Sequence, residues 1–597
     1  MLFRIQRALR HYPAPPVAAV AILLLMAWGT WKAHVLPGLG HTALVGAVGL
    51  FCFTTIAWYV VHLGSARSTG QWVGRRDEQA QRAGGVANWL DIGELAGTSA
   101  TRKRAVVLRP SLRRTSPWRR RFVPLTEYAV PVVKVGWLPV GSTVWSTCED
   151  VTVRFGGPRS GKSGSLACHA LDAPGALVVT TSRTDLLEDT REDRERRGEV
   201  EVFNPTGLGD LKSTVRWSAL SGCQEYATAL RRAGDLIPES ASAEGERWDS
   251  QARGLLAILL HAAALDGRRL STVLDWISPA DAVAREQIVT ALADSPAGDN
   301  LVAAVHSLYT TNERTLTSIT TTMLPALRWL NDATAAETGD AALDDPHLLD
   351  VARLVASGRD SLYLIGRDGA ARTLIGALTA EVAHQVRMHA AKSPSGRLDP
   401  PMTALLDEAP LTCGPIPLQD WTADMGGRGF TIHIAAQSPA QLRDVWGHDK
   451  AAAIMGNAAT LMVFGGLKTA RDLEDLSTLC GTRMMALDAD DVRPQPVMTA
   501  QQISSLPMGT ALVLRNGMRP VIGRAPVIWE RTDRGLTVAE TAANLRERLA
   551  AAVAAYRSPA EVLLPADGRR AAAQPAELSG ALPDEDGGPI AAQGGRP

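Results

Sequence analysis

The hydrophobic pattern of this chain changes period along its length. Residues 17–36 are apolar apart from Lys32 and His34 near the end of the run, and residues 42–63 are apolar with no formal charge except His62 near its end. At 1.5 Å per residue each run is long enough to cross about 30 Å of hydrocarbon. Two runs in succession with no small-residue cleavage site read as membrane spans and not as a removable leader. Arg4, Arg7 and Arg10 precede the first run, Arg67, Arg75 and Arg76 follow the second, and the connecting "PGLGH" has no Lys or Arg. Positive charge on both outer flanks predicts that both ends face the cytoplasm. Downstream, "VTVRF" (Val151 to Phe155) alternates as a strand does, and "SGSLACHALDA" then shows a helical period. Further strands are predicted at "GALVVTTS", "VEVFNP", "SLYLIG", "MTALLDEAP", "FTIHIAAQS", "TLMVFGG" and "TALVLRNG", between Gly175 and Gly517. Strands alternating with helices imply a parallel sheet covered on both faces. From Tyr226 to about Leu343 the apolar residues recur at three and four, as in "ARGLLAILLHAAAL", which predicts an all-helical insertion.

The expected organisation is a two-helix transmembrane anchor (1–64), a juxtamembrane segment (65–135), a nucleotide-binding domain split into 136–225 and 351–540, and the helical insertion at 226–350. A C-terminal helix and tail (541–597) complete the chain. At 597 residues, 46% hydrophobic and 21% charged, the chain supports several packed domains and is too apolar to be disordered as a whole. The Ala-, Gly- and Pro-rich tail from Arg557 reads as disordered. Six scattered cysteines with no C-x-x-C pair argue against a disulfide framework or a zinc site, and fit a reducing compartment. Between Ser65 and Lys134 there are 14 Lys and Arg against five Asp and Glu, including "TRKR" and "WRRR". Such a segment suits an anionic lipid surface, and equally a collar that meets nucleic-acid phosphate.

The chemistry begins at "GGPRSGKSG" (Gly156, Gly157, Pro158, Arg159, Ser160, Gly161, Lys162, Ser163, Gly164). A glycine-bracketed loop between strand and helix turns backbone N–H groups toward phosphates. Lys162 then meets the β- and γ-phosphates of ATP, and the Ser163 hydroxyl is placed for Mg2+. "TALLDE" supplies the complement at a strand end: Asp407 to hold magnesium, directly or through water, and Glu408 to polarise the attacking water. Gln437, ending the next predicted strand, can reach a γ-phosphate or its water. Its bland reading is an amide that caps the following helix.

Together with the two apolar runs, the stretches "GGPRSGKS", "VVTTSRTDLLEDT", "RWSAL", "ERWDSQARGLLAILLHAAAL", "LLDEAP", "GGRGFTIHIAAQSPAQLRDVWG" and "GNAATLMVFGG" resemble the type IV secretion coupling proteins of the TraG/TraD conjugative-transfer family. The resemblance implies a RecA-like P-loop fold with an all-helical insertion behind two transmembrane helices. It also implies a homo-hexamer at the bacterial inner membrane, with its large domain cytoplasmic, contacting membrane lipid and the secretion channel. Such a machine recruits relaxase-bound DNA and drives its transfer by ATP hydrolysis. Phosphoryl transfer in a ring calls for an arginine from a neighbouring subunit. Arg428, in the glycine-flanked turn "DMGGRGF", is the candidate, with a local pair to Asp424 as the alternative. Related motors that move protein effectors, or double-stranded DNA as FtsK-like pumps do, share the nucleotide motifs. The helices inserted between those motifs argue against the FtsK-like plan, and intact Lys162, Ser163, Asp407 and Glu408 argue against a non-hydrolysing receptor.

Overall fold

The computed structural model describes residues 85–531 apart from 88, 136–141, 240–242, 278–281, 294, 368 and 487–491. The two apolar runs and the C-terminal helix and tail lie outside the described residues. Among the described residues no helix is long and apolar enough to cross a membrane.

An eleven-stranded sheet organises the fold. In chain order its strands are β1 (Ala129–Val135), β2 (Ser142–Thr147), β3 (Thr152–Phe155), β4 (Leu177–Thr181), β5 (Val200–Phe203), β6 (Ser361–Ile365), β7 (Met402–Leu406), β8 (Phe430–Ala436) and β9 (Thr460–Phe464). A separate hairpin, β10 (Thr482–Ala486) and β11 (Val492–Pro496), precedes the last two sheet strands, β12 (Thr510–Arg515) and β13 (Met518–Arg524). The spatial order is β2-β1-β13-β12-β9-β3-β8-β7-β4-β6-β5. From β9 to β5 every pairing is parallel, while β12, β13, β1 and β2 add antiparallel strands at the other side. Every residue of β3, β4, β6, β7 and β8 is buried, as a sheet covered on both faces requires.

The principal helices are α1 (Thr98–Leu108), α2 (Lys162–Asp172), α3 (Asp185–Glu195), α4 (Tyr226–Leu236), α5 (Ala243–Leu265), α6 (Glu313–Leu327), α7 (Gly369–Lys392) and α8 (Pro439–Asn457). Between β5 and β6 the described chain contains helices and short turns. Helix α5 runs through their middle, with Leu255, Leu256, Leu259 and Leu260 at most 1% exposed. Two buried tryptophans of this helical region, Trp276 and Trp329, pack in the same apolar cluster as the sheet residues Val178, Leu362 and Leu406. The helices therefore share one core with the sheet.

Folded structure also begins earlier than the sequence suggests. Helix α1 and strand β1 fall inside the basic segment, and β1 joins the sheet between β2 and β13. Pro131 hid β1, because proline cannot donate to a ladder. Here it sits where the β1–β2 register shifts, a position that tolerates the missing donor.

Candidate active site

Parallel strands place all their C-terminal ends on one edge of the sheet, and ligands of open α/β sheets bind at that edge. Strand β3 runs into the loop Gly156 to Gly161, and α2 starts at Lys162. Gly161 has φ +106° and caps α2 in a left-handed conformation that a side chain would strain. At Gly157 a Cβ would stand 2.8 Å from the Gly466 carbonyl oxygen, so the loop lies directly on the strand β9 exit. Three backbone hydrogen bonds fasten the loop there. Gly157 N–H donates to Gly465 O at 3.0 Å, Gly156 N–H donates to the carbonyl oxygen of Gln437 at the end of β8 at 3.3 Å, and Gly509 N–H donates to Ser160 O at 3.0 Å. Pro158 and Arg159 are exposed at the loop tip, and Arg159 has φ +58°.

Lys162 is buried, and its Nζ donates to the carbonyl oxygens of Gly156 and, at 3.2 Å, Gly157. The ammonium thus lies inside the glycine loop. Burial lowers its pKa against the raising influence of Asp407 and Glu408.

The second motif lies two strands away, at the end of β7 beside β8 and β4. Asp407 is 4% exposed, and the Ser163 hydroxyl donates to its Oδ2 at 3.4 Å across 244 residues of sequence. Its Oδ1 is buried without a hydrogen-bond partner among the described residues. Burial, and next the Glu408 carboxylate, push Asp407 up to about 7, with Lys162 opposing. Glu408 takes a left-handed backbone conformation, φ +46°, where β7 turns into the short helix Ala409–Thr412. Strained non-glycine residues of this kind concentrate at functional sites. Its Oε2 accepts from the Ser182 hydroxyl at 2.7 Å, and its Oε1 accepts from Gln437 Nε2 at 3.4 Å. Gln437 is itself held by its backbone N–H to Gln441 Oε1 at 2.9 Å.

Gly156, Gly157, Ser160, Gly161, Lys162, Ser163, Asp407, Glu408 and Gln437 are therefore brought to one sheet edge. Arg428 is not. It ends a turn of 3-10 helix before β8, so it stands at the opposite edge, about 20 Å from the loop at 3.3 Å per strand residue. Its Nε donates to Asp424 Oδ2 at 2.8 Å, the local pair. Ser182 is a site residue that the sequence pattern did not single out. It reaches Glu408 because β4 lies next to β7 in the sheet.

The donor set fits a magnesium nucleotide. A buried carboxylate bearing an unpartnered oxygen faces the hydroxyl that follows the loop lysine, and that lysine is held by loop carbonyls that a phosphate can replace.

A family model described as the TraM recognition site of TraD and TraG matches residues 401–508. Among solved structures, the unbound monoclinic form of the bacterial conjugative coupling protein TrwBdeltaN70 is 20% identical, with a TM-score of 0.51 over 63% of this chain and 84% of that one. The plasmid coupling protein TrwB in complex with ADP and Mg2+ is 22% identical, with a TM-score of 0.48 over 64% and 86%. VirB4 of Thermoanaerobacter pseudethanolicus is 13% identical, with a TM-score of 0.37 over 67% and 96%. The chain matches no curated protein. The family match over residues 401–508, with the fold shared with TrwBdeltaN70, supports the resemblance of this chain to the type IV coupling proteins.

Proposed function

We propose that this chain is the ATPase of a conjugative coupling machine, anchored in the inner membrane by residues 1–64, assembled as a hexamer, and driving relaxase-bound DNA toward a type IV secretion channel. The observation that carries the reading is the meeting of Ser163 and Asp407 at 3.4 Å, which joins the two nucleotide motifs into one site. The family description, TraM recognition, supports a relaxosome protein as partner, and TrwB is described in complex with ADP and Mg2+.

The roles follow from the geometry. Loop N–H groups and the α2 N-terminus bind the phosphates of ATP, where dipole and donors favour negative charge. Lys162 exchanges its loop carbonyls for β- and γ-phosphate oxygens. Ser163 and Asp407 hold Mg2+, which neutralises charge on the phosphate oxygens when bound. Glu408, oriented by Ser182 and Gln437, accepts a proton from the attacking water at its carboxylate. Gln437 positions that water from the adjacent strand end.

Two substitutions separate binding from turnover. Lys162→Ala removes a charge-assisted contact and is expected to leave less than about a tenth of the wild-type ATPase rate with weakened nucleotide binding. Glu408→Gln is expected to bind Mg-ATP as wild type does and to hydrolyse it about 100-fold more slowly. Equal loss of binding in both variants, measured by equilibrium titration with ATP, would contradict these separate roles.

A further inference from the structure

Beyond β13 the chain turns back along α2, from Gly164 to Asp172. Ile528 is 3% exposed and packs with Leu166 and Cys168 of that helix. Arg531 pairs with Asp172 at 2.7 Å and donates to the Cys168 carbonyl oxygen at 3.2 Å. Glu530 pairs with Arg524. These anchors fix the one-turn 3-10 helix Ile528–Glu530, yet its middle residue, Trp529, remains 56% exposed.

The indole has a defined seat. A Cβ at Gly164 would lie inside contact distance of Trp529 Cζ3 and 2.7 Å from Cη2, so the six-membered ring rests directly on the Gly164 backbone. Gly164 is buried and follows Ser163 in the turn that faces the phosphates. The next N–H, of Ser165, is already bonded to Gly161 O at 3.0 Å. The ring therefore borders the end of the phosphate-binding turn. A nucleotide whose phosphates occupy that turn must lead its ribose and base away along one of the turn's borders.

We propose that Trp529 is the stacking platform for the purine base of the nucleotide bound at the glycine loop. The proposal rests on the phosphate-loop reading and adds the base subsite to it. An aromatic face anchored through its neighbours and left open to solvent supplies a preformed surface for a flat apolar ligand. Stacking on an indole uses the π-face that every base has, so the subsite holds adenine and guanine alike and leaves base choice to other contacts. Gly164 is required because any side chain there would lift the ring from its seat.

The test uses the full-length chain with Mg2+ and three probes, ADP, GDP and inorganic tripolyphosphate, titrated calorimetrically against wild type, Trp529→Ala and Trp529→Phe. Trp529→Ala is expected to weaken ADP and GDP about 5- to 150-fold while tripolyphosphate affinity is unchanged, and Trp529→Phe to recover most of the loss. Unchanged ADP affinity in Trp529→Ala would overturn the proposal. So would an equal loss of tripolyphosphate affinity, which would make the ring a support of the loop. Failure of the wild-type chain to bind any of the three would overturn the phosphate-loop reading itself, and the subsite with it.

Discussion

Arg154, one residue before the end of β3, is a fully buried cation set between two fully buried histidines. Its guanidinium donates to His169 Nδ1 and, at 3.3 Å, to His433 Nδ1, which fixes both as acceptors. The His169 Nε2–H then reaches the Pro131 carbonyl oxygen at 2.9 Å. Burial first, and then the Arg154 charge, hold both imidazoles well below their ordinary pKa, with Arg531 adding to the effect at His169. Both are neutral when folded and take up protons near about pH 6.5 when unfolded, so the stability they contribute is fully present above that pH and is lost as pH falls below it. Between about pH 6.5 and about pH 5 each histidine therefore steepens the loss of stability as pH falls, against the opposite contribution of Asp407, which is pushed up to about 7 when folded. His433→Gln, whose carbonyl still accepts from Arg154, is expected to reduce the slope of stability by about 1.4 kcal/mol per pH unit. An unchanged slope would contradict this assignment. Ser182→Ala tests a second contact: ADP binding is expected to be unchanged while hydrolysis falls about tenfold, the size of one hydrogen bond to a charged group. The loop and "LLDE" were legible in the sequence because their chemistry is local. Ser182 was not, since its partner lies 226 residues away and only the β4–β7 pairing brings them together.

At the scale of elements, the parallel strands were legible as short apolar runs bounded by turn residues, and the helices between β5 and β6 by their period. The antiparallel side was less so. β1 and β13 each contain a proline, which argues against a strand, and the Pro520 carbonyl oxygen accepts from Ala87 N–H, outside the ladder. The turn before β8 carries the most direct element-scale question. Arg428 and Asp424 form a half-exposed i,i+4 pair, worth about 0.3–0.5 kcal/mol, on the edge of the sheet opposite the glycine loop. If the Asp424 pair is its whole role, Arg428→Ala is expected to bind and hydrolyse ATP at close to the wild-type rate. Lost hydrolysis that is restored by mixing with Lys162→Ala subunits would instead place Arg428 at a neighbour's phosphates. In that case each variant supplies what the other lacks.

For the whole molecule, the proposed function requires one nucleotide site, assembled from strands distant in sequence, to power the movement of DNA. Removing residues 1–64 is expected to leave ATP binding intact while abolishing conjugative transfer, and full transfer by the truncated protein would refute the anchoring role. The most direct test is the rate of ATP hydrolysis by the full-length, detergent-solubilised protein with and without added DNA. The predicted result is a hydrolysis rate that rises severalfold with DNA in the wild type and stays at background, with or without DNA, in Lys162→Ala and Glu408→Gln. A wild-type rate indifferent to DNA, or hydrolysis that persists in both variants, would contradict the account.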